Sequence, residues 1–348
     1  MRGQSVTIED VADAAGVSRQ TVSRVINGHP NVKAAVRERV QTAIVDLGYV
    51  PNLSARRMGG ARSYLILAVN DRQRTIDNWQ AGRGNDWVDQ MLCGGMTECE
   101  KHQYNFLFQL IDTAPDDAVA EVARRIGSIR PDGVILTPPH CDNEALVQLL
   151  KDRGIACARV GHRAGDASVD VHMDEEGAAR AATDLLLGLG HRRIAFIAGA
   201  PNYGNSARRI VGFRQALAAA GIDEAAGPVG TGDFNFEVSA AVIRELLHRP
   251  DRPTAIIADN DEMAFAALHV ANEQGFRVPE GLSIVSFEDT PGVRFSVPPL
   301  TAIRQPTAAM ISTACQRLIA MAGGGDGNGS FELPYDLIVR ASTAGPPA

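Results

Sequence analysis

The sequence has few cysteines and no pattern that groups them. Its five cysteines, at positions 93, 99, 141, 157 and 315, are an odd number and contain no CxxC pair. That spacing argues against a disulfide framework and against a zinc site. We therefore interpret them as reduced thiols and expect neither a metal ion nor another cofactor.

Long apolar runs are also missing. No run approaches the ~18 to 20 apolar residues that a helix needs to cross a bilayer, which excludes a transmembrane segment. The first ten residues are polar and lack the basic flank and apolar stretch of a secretory signal. We expect a cytoplasmic protein.

Phosphate-binding glycine turns are absent after the predicted strands. A nucleotide-dependent enzyme on a wound sheet would need a GxGxxG or GxxxxGK turn there, whereas the glycine-rich run 323–329 follows a predicted helix. The acidic pairs that follow two strands have no nucleophile or metal partner beside them. We predict no enzymatic activity.

The charge is distributed unevenly along a chain that is too long for one domain. With 348 residues, the chain predicts two or three domains. The net charge is −7, yet residues 1–60 carry a net +3 and the rest a net −10. A basic head on an acidic body indicates that only the head meets a polyanion such as DNA.

The head begins with the pattern of a helix-turn-helix. Thr7 can cap a first helix, in which apolar residues recur at helical spacing. Gly16 can take the positive φ of a tight turn, and Ser18 can cap a second helix. We predict two short helices that pack across this turn.

The outer face of the second helix is polar and basic. Gln20 and Arg24 lie four residues apart and could read neighbouring bases in a major groove, since Gln pairs with adenine and Arg with guanine. Thr21 and Ser23 suit phosphate contacts better. The full set of DNA-binding candidates on these two helices is Thr7, Ser18, Arg19, Gln20, Thr21, Ser23, Arg24 and Asn27. The alternative, a helical hairpin with merely solvated charges, accounts less well for the coincidence of turn, cap and basic face.

A third predicted helix, about 33–47, completes the head and ends at Gly48. The segment 52–58 that follows is too short to hold a helix alone in water, so we expect it to order only when it docks. The run from Gly16 to Gly28, GVSRQTVSRVING, together with LGYVPN at 47–52, resembles the LacI/GalR (lactose/purine repressor) family of bacterial transcriptional regulators. The likeness extends over essentially the whole chain.

The resemblance implies that segment 52–58 is a hinge helix that folds on operator DNA and wedges into the minor groove. Ala55 and Met58 match the intruding positions, although the family usually has Leu where this chain has Met58. Methionine can still wedge between base steps. A plain linker role is the alternative for Met58.

The body alternates short apolar runs with helices, which predicts parallel sheets. The predicted strands are 64–69, 106–110, 133–137, 155–160, 169–173, 193–198, 254–258 and 282–287. The predicted fold is a small all-α helix-turn-helix DNA-binding domain plus an α/β body of two doubly wound parallel-sheet lobes. The resemblance makes that body similar to periplasmic binding proteins.

The domain boundaries follow from the same resemblance. We predict a DNA-binding domain at 1–50, a hinge at 51–61 and an effector-binding and dimerisation domain at 62–348. The resemblance implies three crossings between the lobes, near 162, 291 and 324. The N-lobe would then hold about 62–161 and 292–323, and the C-lobe about 162–291 and 324–343.

Candidate ligand residues follow the carboxyl ends of predicted strands, where wound sheets bind ligands. Asp261 follows the strand that ends at 258, and Glu288 follows the strand that ends at Phe287. By the resemblance, Arg209 is the effector-binding arginine. Asn205, Phe287, Trp79 and Trp87 are secondary candidates. Arg209 could instead form a surface salt bridge, and Asp261 could cap a helix.

Three departures from the family pattern concern the ligand site. Val160-Gly161-His162 stands where the family often has Ile-Asp-Arg, and Glu288 replaces the usual Asp. The first loop, 70–86, is longer than usual and carries Trp79, with Trp87 directly after it; these are the only tryptophans. Aromatic faces stack on sugar rings, but core packing or a dimer contact would also explain them.

The sequence thus predicts a ligand-controlled, nucleoid-associated repressor of carbohydrate-utilisation genes. Its partners would be palindromic double-stranded operator DNA, a small neutral sugar and a second copy of the chain. The tail after Arg340 is too short for a tetramerising coil. The alternatives are a regulator that responds to a purine or another metabolite, and a solute-binding protein without a DNA role, which would need a secretory signal and no basic head.

Overall fold

The computed structural model describes residues 6–26, 31–49, 62–83, 85–161 and 169–347. The chain folds into two compact units, Met1–Tyr64 and Leu65–Ala348. The predicted hinge segment, 51–61, lies outside the described residues, as do the candidates Asn27, Ala55 and Met58.

The first unit contains the three predicted helices, α1 (Ile8–Ala15), α2 (Arg19–Ile26) and α3 (Ala34–Leu47). Thr7 and Asp10 form a capping box, in which Asp10 N donates to Thr7 Oγ1 (3.3 Å) and Thr7 N donates to Asp10 Oδ2 (2.7 Å). Gly16 takes φ +60° and ends α1. The helix-turn-helix prediction is confirmed.

A small apolar core joins these helices. Val11 of α1, Val22 and Val25 of α2 and Val40 of α3 are buried against one another. Because the apolar side of the second helix packs on this core, the opposite side of the helix faces away from the core. That side carries the polar and basic residues of the sequence prediction.

The second unit alternates strands and helices. Its strands are β1 (Leu65–Asp71), β2 (Asn105–Ile111), β3 (Gly133–Leu136), β4 (Ala156–Val160), β5 (Val169–His172), β6 (Ile194–Ala198), β7 (Val229–Thr231), β8 (Ala255–Ala258), β9 (Ser283–Glu288), β10 (Thr301–Arg304), β11 (Gly329–Glu332) and β12 (Asp336–Ile338). Its α-helices are α4 (Arg72–Gln80), α5 (Asp86–Lys101), α6 (Pro115–Ile129), α7 (Glu144–Asp152), α8 (Glu175–Gly188), α9 (Gly204–Ala219), α10 (Phe236–His248), α11 (Asp261–Glu273), α12 (Pro291–Phe295) and α13 (Thr307–Ala322). No helix in these described ranges combines the length and the apolar character needed to cross a bilayer.

Two six-stranded sheets form two lobes. The first lobe has the strand order β11-β5-β4-β3-β1-β2, and all its pairs are parallel. The second has the order β12-β10-β9-β8-β6-β7, parallel except for the antiparallel edge strand β12. Central strands such as β1, β3, β6 and β8 are buried along their whole length, as expected where helices cover both faces. The predicted fold class is confirmed.

The three crossings between lobes lie further along the chain than the resemblance implies. Strand β5 belongs to the first sheet, β10 to the second and β11 to the first. The crossings therefore lie at 173–174, 305–306 and 333–335. The predicted positions near 162, 291 and 324 are wrong.

Strand pairing explains the displaced crossings. A buried ion pair joins Arg159 Nε to Asp170 Oδ1 at 2.9 Å and fixes β5 beside β4. In the second lobe, β10 pairs with β9 from Thr301 opposite Val285. The glycine-rich run 323–329 does not make a crossing, because it ends α13 and leads into β11, which pairs with β5.

Candidate ligand cavity and DNA-binding helix

A cavity of about 190 Å³ lies between the two lobes. Strands β1 and β3 of the first sheet and β6, β8 and β9 of the second point their carboxyl ends at it. These are the positions at which wound sheets bind ligands. Its lining residues are Asn70, Asp71, Arg74, Thr75, Asn78, Arg83, Asn85, Asp86, Trp87, Pro138, Tyr203, Asn205, Arg209, Phe234, Asp259, Asn260, Asp261, Glu262, Phe265, Glu288, Thr290 and Gln305.

The structure places five of the seven sequence-predicted ligand residues in this lining. They are Trp87, Asn205, Arg209, Asp261 and Glu288. Phe287 is fully buried behind the cavity, where its ring lies 4.4 Å from the Arg209 guanidinium. Trp79 lies outside the cavity, 51% exposed, with its ring edge-to-face to Phe108.

Arg209 is the centre of a buried ionic network, and its side chain is only 1% exposed. Its Nε donates to Glu175 Oε2 at 2.6 Å, and its Nη1 donates to Asp259 Oδ1 at 2.7 Å. Burial opposes its charge, but the two carboxylates outweigh that effect and raise the pKa of Arg209. The arginine therefore stays charged and fixed in direction, and it is not part of a surface salt bridge.

Three cavity-lining residues, Arg74, Asn205 and Arg209, each have a buried polar atom without a hydrogen-bond partner within the described part of the chain, and two of these atoms belong to predicted ligand residues. These two are the donor Nη2 of Arg209 and the acceptor Oδ1 of Asn205. Leaving such a group unsatisfied costs about 1–3 kcal/mol. A bound molecule that offers both an acceptor and a donor would remove that cost.

Asp261 is the first residue of α11, while the helix cap is its neighbour Asn260. The Asp261 carboxylate accepts hydrogen bonds from Ser286 Oγ and from Thr290 N, the latter at 2.7 Å. Burial raises the pKa of Asp261 to about 7, against the opposing effect of these hydrogen bonds. The side chain thus fastens the loop after β9 to the start of α11 and also lines the cavity.

Glu288 presents its carboxylate to the cavity at the end of β9. Its Oε2 accepts a long hydrogen bond, 3.5 Å, from Asp261 N. Burial and the neighbouring Asp261 raise the pKa of Glu288. Its φ is +104°, a strained value for a residue with a Cβ, and such strain is frequent at binding sites.

Asp289, the acidic residue next to Glu288, points elsewhere. It is buried against three arginines, with Oδ2 2.8 Å from Arg304 Nε and Oδ1 bonded to Arg340. It ties the end of β9 to β10 and to the C-terminal segment. Only Glu288 of this pair reaches the cavity.

Sequence reasoning missed the aromatic wall and the contacts that bridge the lobes. Tyr203 and Phe234 of the second lobe pack edge-to-face at 5.2 Å, and Phe265 lies on the same cavity lining. Tyr203 OH donates to Asp71 Oδ2 of the first lobe at 2.7 Å. Arg83 of the first lobe lies 2.9 Å from Glu262 of the second. Their position at or after the ends of strands β1, β6, β7 and β8 was the one available signal.

The second helix of the head presents the predicted DNA-binding face. Arg19, Gln20 and Arg24 are exposed on α2, and Thr21 and Ser23 are partly buried. Arg19 pairs with Glu9 at 3.0 Å, so its guanidinium has a partner within the head. Ser18 Oγ accepts from Thr21 N at 3.2 Å, which confirms the predicted cap.

Comparison with known proteins agrees with both units. Residues 7–52 match the bacterial regulatory proteins of the lacI family, and residues 183–343 match the periplasmic binding protein-like domain. The HTH-type transcriptional regulator CelR of Thermobifida fusca is 35% identical over 315 residues, 89% of each chain. The lactose operon repressor of Escherichia coli K12 is 28% identical over 98% of this chain and 91% of its own length.

Solved structures show the same architecture over nearly the full length. A CelR-cellobiose complex covers 97% of this chain and 99% of its own, with a TM-score of 0.71 and 32% identity. A lac repressor dimer bound to operator and the anti-inducer ONPF covers 98% and 100%, with a TM-score of 0.79 and 25% identity. The capped helix-turn-helix, the two wound lobes and these similarities lead to one conclusion: this chain belongs to the LacI family of DNA-binding transcriptional regulators.

Proposed function

We propose that this chain is a repressor of carbohydrate-utilisation genes whose affinity for operator DNA is controlled by a neutral sugar bound between the lobes. It acts in the cytoplasm, at the nucleoid, as a homodimer on palindromic DNA. The hinge, 51–61, with Ala55 and Met58 as its wedge residues, transmits the change in lobe closure to the heads.

The composition of the cavity wall is the observation that carries the sugar assignment. Six carboxylates and three guanidinium groups line it, which disfavours an anion such as a phosphosugar by like-charge repulsion. Carboxylates and guanidinium groups pair instead with vicinal hydroxyl groups. Trp87, Tyr203, Phe234 and Phe265 supply aromatic faces for the apolar faces of sugar rings.

The relatives support this assignment. The CelR structure is a complex with cellobiose, and that protein shares the length and the fold of this chain. The similarity favours a disaccharide over a purine as the effector. The cavity lining offers four aromatic residues but is dominated by charged, amide and hydroxyl side chains, which suits hydroxyl-rich ligands better than a flat nucleobase.

The dimer is supported by an exposed apolar surface in the second lobe. Phe295 is 81% exposed and Val297 is 89% exposed, two residues apart after β9. Exposed large apolar side chains that lie close together mark association surfaces. The lac repressor relative is a dimer on its operator.

Isothermal titration calorimetry on the purified protein tests the effector assignment. The panel is cellobiose, glucose, glucose 6-phosphate and adenine, and we expect heat of binding only with the neutral sugars. Asn205→Ala removes the unpartnered Oδ1 and should weaken sugar binding roughly 3- to 10-fold, the worth of about one hydrogen bond. Asn272→Ala, an exposed position on α11, is the matched control and should bind as the wild type does.

Two outcomes would contradict the sugar effector or the role of Asn205. Tight binding of adenine or of glucose 6-phosphate, with no heat from either neutral sugar, would show that the cavity serves another class of metabolite. Equal losses in the two asparagine variants would show that Asn205 does not contact the ligand.

The DNA-binding face predicts a base-specific effect for Arg24. Arg24→Ala should cost about 1–3 kcal/mol at one operator position and relax the base preference there. Binding to a set of operators with single-base changes, measured at constant salt, gives this difference. Arg39→Ala, an exposed arginine on α3, is the control and should leave the base preference unchanged.

A uniform loss of affinity for every operator in the Arg24→Ala variant would identify a phosphate contact. That result would remove Arg24 from the base-reading positions and leave Gln20 as the remaining candidate on this face.

A further inference from the structure

Arg74 lies at the point where the first lobe reaches across the cavity. Strand β1 ends at Asp71, whose Oδ1 accepts from Arg74 N at 3.1 Å and so caps α4. The start of α4 is thereby fixed at the carboxyl end of β1, on the cavity. The stretch 70–86, predicted from the sequence to be a long loop, is therefore mostly helix, because α4 occupies residues Arg72–Gln80 of it.

The Arg74 guanidinium binds the second lobe. Its Nη1 donates to the main-chain oxygen of Asp233 at 2.6 Å, and its Nη2 donates to Asp233 Oδ1 at 2.9 Å. The same group lies 5.3 Å from the Tyr203 ring and 5.2 Å from the Phe234 ring. One side chain therefore makes ionic, hydrogen-bond and cation–π contacts across the interlobe cleft.

The receiving loop is held in an uncommon conformation. Asp233 and Phe234 have φ values of +55° and +48°, in the left-handed region that residues with a Cβ rarely adopt. Such a conformation persists where surrounding contacts determine it. The two contacts from Arg74, together with the Tyr203 ring packed on Phe234, supply contacts of that kind.

The remaining donor of Arg74 makes no hydrogen bond in the described part of the chain. This donor, Nε, is buried, and the residue that carries it is one of those that line the cavity. The nearest carboxylate oxygen, Asp71 Oδ2, is 4.0 Å away and accepts from Tyr203 OH. The Nε–H group is therefore in the same condition as Arg209 Nη2, a buried donor that a ligand oxygen would satisfy.

We propose that Arg74 is a second effector-binding arginine and that it links occupancy of the cavity to lobe closure, because one guanidinium both holds Asp233 across the cleft and offers Nε to the ligand. The ligand half of this proposal rests on the proposed sugar effector. The closure half rests on the protein's own contacts alone.

The test compares three variants of the full-length protein. Arg74→Lys keeps a positive charge but loses the Nε donor and the bidentate contact with Asp233. Asp233→Asn keeps the main-chain acceptor and leaves Arg74 in the cavity. Arg72→Lys is the matched control on the same helix, since Arg72 bonds within the first lobe to Leu110 O and Glu121 and does not line the cavity.

Calorimetry with cellobiose measures the ligand half. Arg74→Lys should weaken binding about tenfold, Asp233→Asn about threefold, and Arg72→Lys less than about twofold. Electron paramagnetic resonance measures the closure half in unliganded protein, with spin labels at Gln148→Cys and Glu245→Cys, exposed sites on opposite lobes, in a Cys93→Ser background. Labelled chains are diluted with unlabelled protein so that only distances within one chain are read.

The expected result is a longer interlobe distance in Arg74→Lys and Asp233→Asn and an unchanged one in Arg72→Lys. Unchanged distances in all three would overturn the closure role. Wild-type affinity for cellobiose in a folded Arg74→Lys variant would overturn the ligand role. Absence of binding by every sugar to the wild type would overturn the proposed effector, and the ligand role with it, while the distances would still decide the closure role.

Discussion

Replacing Arg209 by alanine should weaken sugar binding strongly and destabilise the second lobe. The substitution leaves the carboxylates of Glu175 and Asp259 buried, 4% and 0% exposed, without their shared cation. Breaking one partner out of such a buried network costs about 3–5 kcal/mol. The loss of the free Nη2 donor removes a charged hydrogen bond to the ligand, which weakens binding roughly 10- to 100-fold.

The same helix offers a control for this prediction. Arg214 on α9 pairs with Glu224 at 2.8 Å, but both side chains are more than half exposed, at 53% and 70%. Arg214→Ala should lower the free energy of unfolding by less than about 1 kcal/mol and leave sugar affinity unchanged. Urea unfolding followed by circular dichroism, with calorimetry on the folded variants, gives both quantities.

Two results would contradict the role of Arg209. One is equal stability of the two alanine variants, since the buried network would then contribute no more than an exposed pair. The other is wild-type sugar affinity in folded Arg209→Ala protein. Operator affinity without sugar should stay unchanged, because Arg209 lies in the body and not in the head.

Burial of Asp261 predicts a pH dependence of stability. Its pKa is raised to about 7, whereas the unfolded chain releases this proton near pH 4. Between these values the folded protein holds more protons than the unfolded one, so the free energy of unfolding falls as pH rises from about 4 to about 7. At about 1.4 kcal/mol per unit, the contribution reaches roughly 4 kcal/mol.

Asp261→Asn isolates that contribution because an amide does not titrate. The difference in unfolding free energy, variant minus wild type, should grow between about pH 4 and 7 and level off above it. Asp251→Asn is the control, since Asp251 is exposed and its pKa is lowered by a hydrogen bond from Arg249. Its difference should change only at acidic pH, below the ordinary range of an aspartate.

The charged groups around Asp261 require a second background for this titration. Glu288 and Asp289 are its acidic neighbours, and Arg209 acts on Glu288. Because Asp261 and Glu288 titrate as a pair, the experiment is repeated in a Glu288→Gln background. A flat difference between pH 5 and 8 in both backgrounds would show that the buried carboxyl group is not protonated in the folded protein.

Local patterns in the sequence predicted the head almost completely. The capping box at Thr7 and the turn at Gly16 depend on residues three or fewer positions apart, and such short-range rules act wherever the chain goes. The central strands were predicted for a similar reason, since β1 and β8 are fully buried and read as continuous apolar runs. The edge strands β7, β11 and β12 and the inner strand β10 were not, because each has only three or four residues and depends on its neighbour for pairing.

The cavity residues also divide into those that a local pattern predicts and those that depend on distant contacts. Asp261 and Glu288 could be predicted because each follows a recognisable strand, and Arg209 because it lies in a recognisable motif. Arg74 could not be predicted, since its partner Asp233 lies 159 residues further along the chain and neither residue belongs to a motif. The lobe to which a strand belongs is likewise decided by pairing with strands that lie far away in the sequence. This is why the crossings between the lobes were misplaced.

The order of the strands has a consequence for synthesis of the protein on the ribosome. The first lobe starts with β1, but α13, which packs on β3, β4 and β5, and the edge strand β11 are made only after the whole central part of the second lobe. Domains tend to fold from the N-terminus during translation, at about 5–20 residues per second. Here β3, β4 and β5 stay without their covering helix α13 until residue 322 has left the exit tunnel. The head is not delayed in this way, because its three helices pack on one another within the first 50 residues.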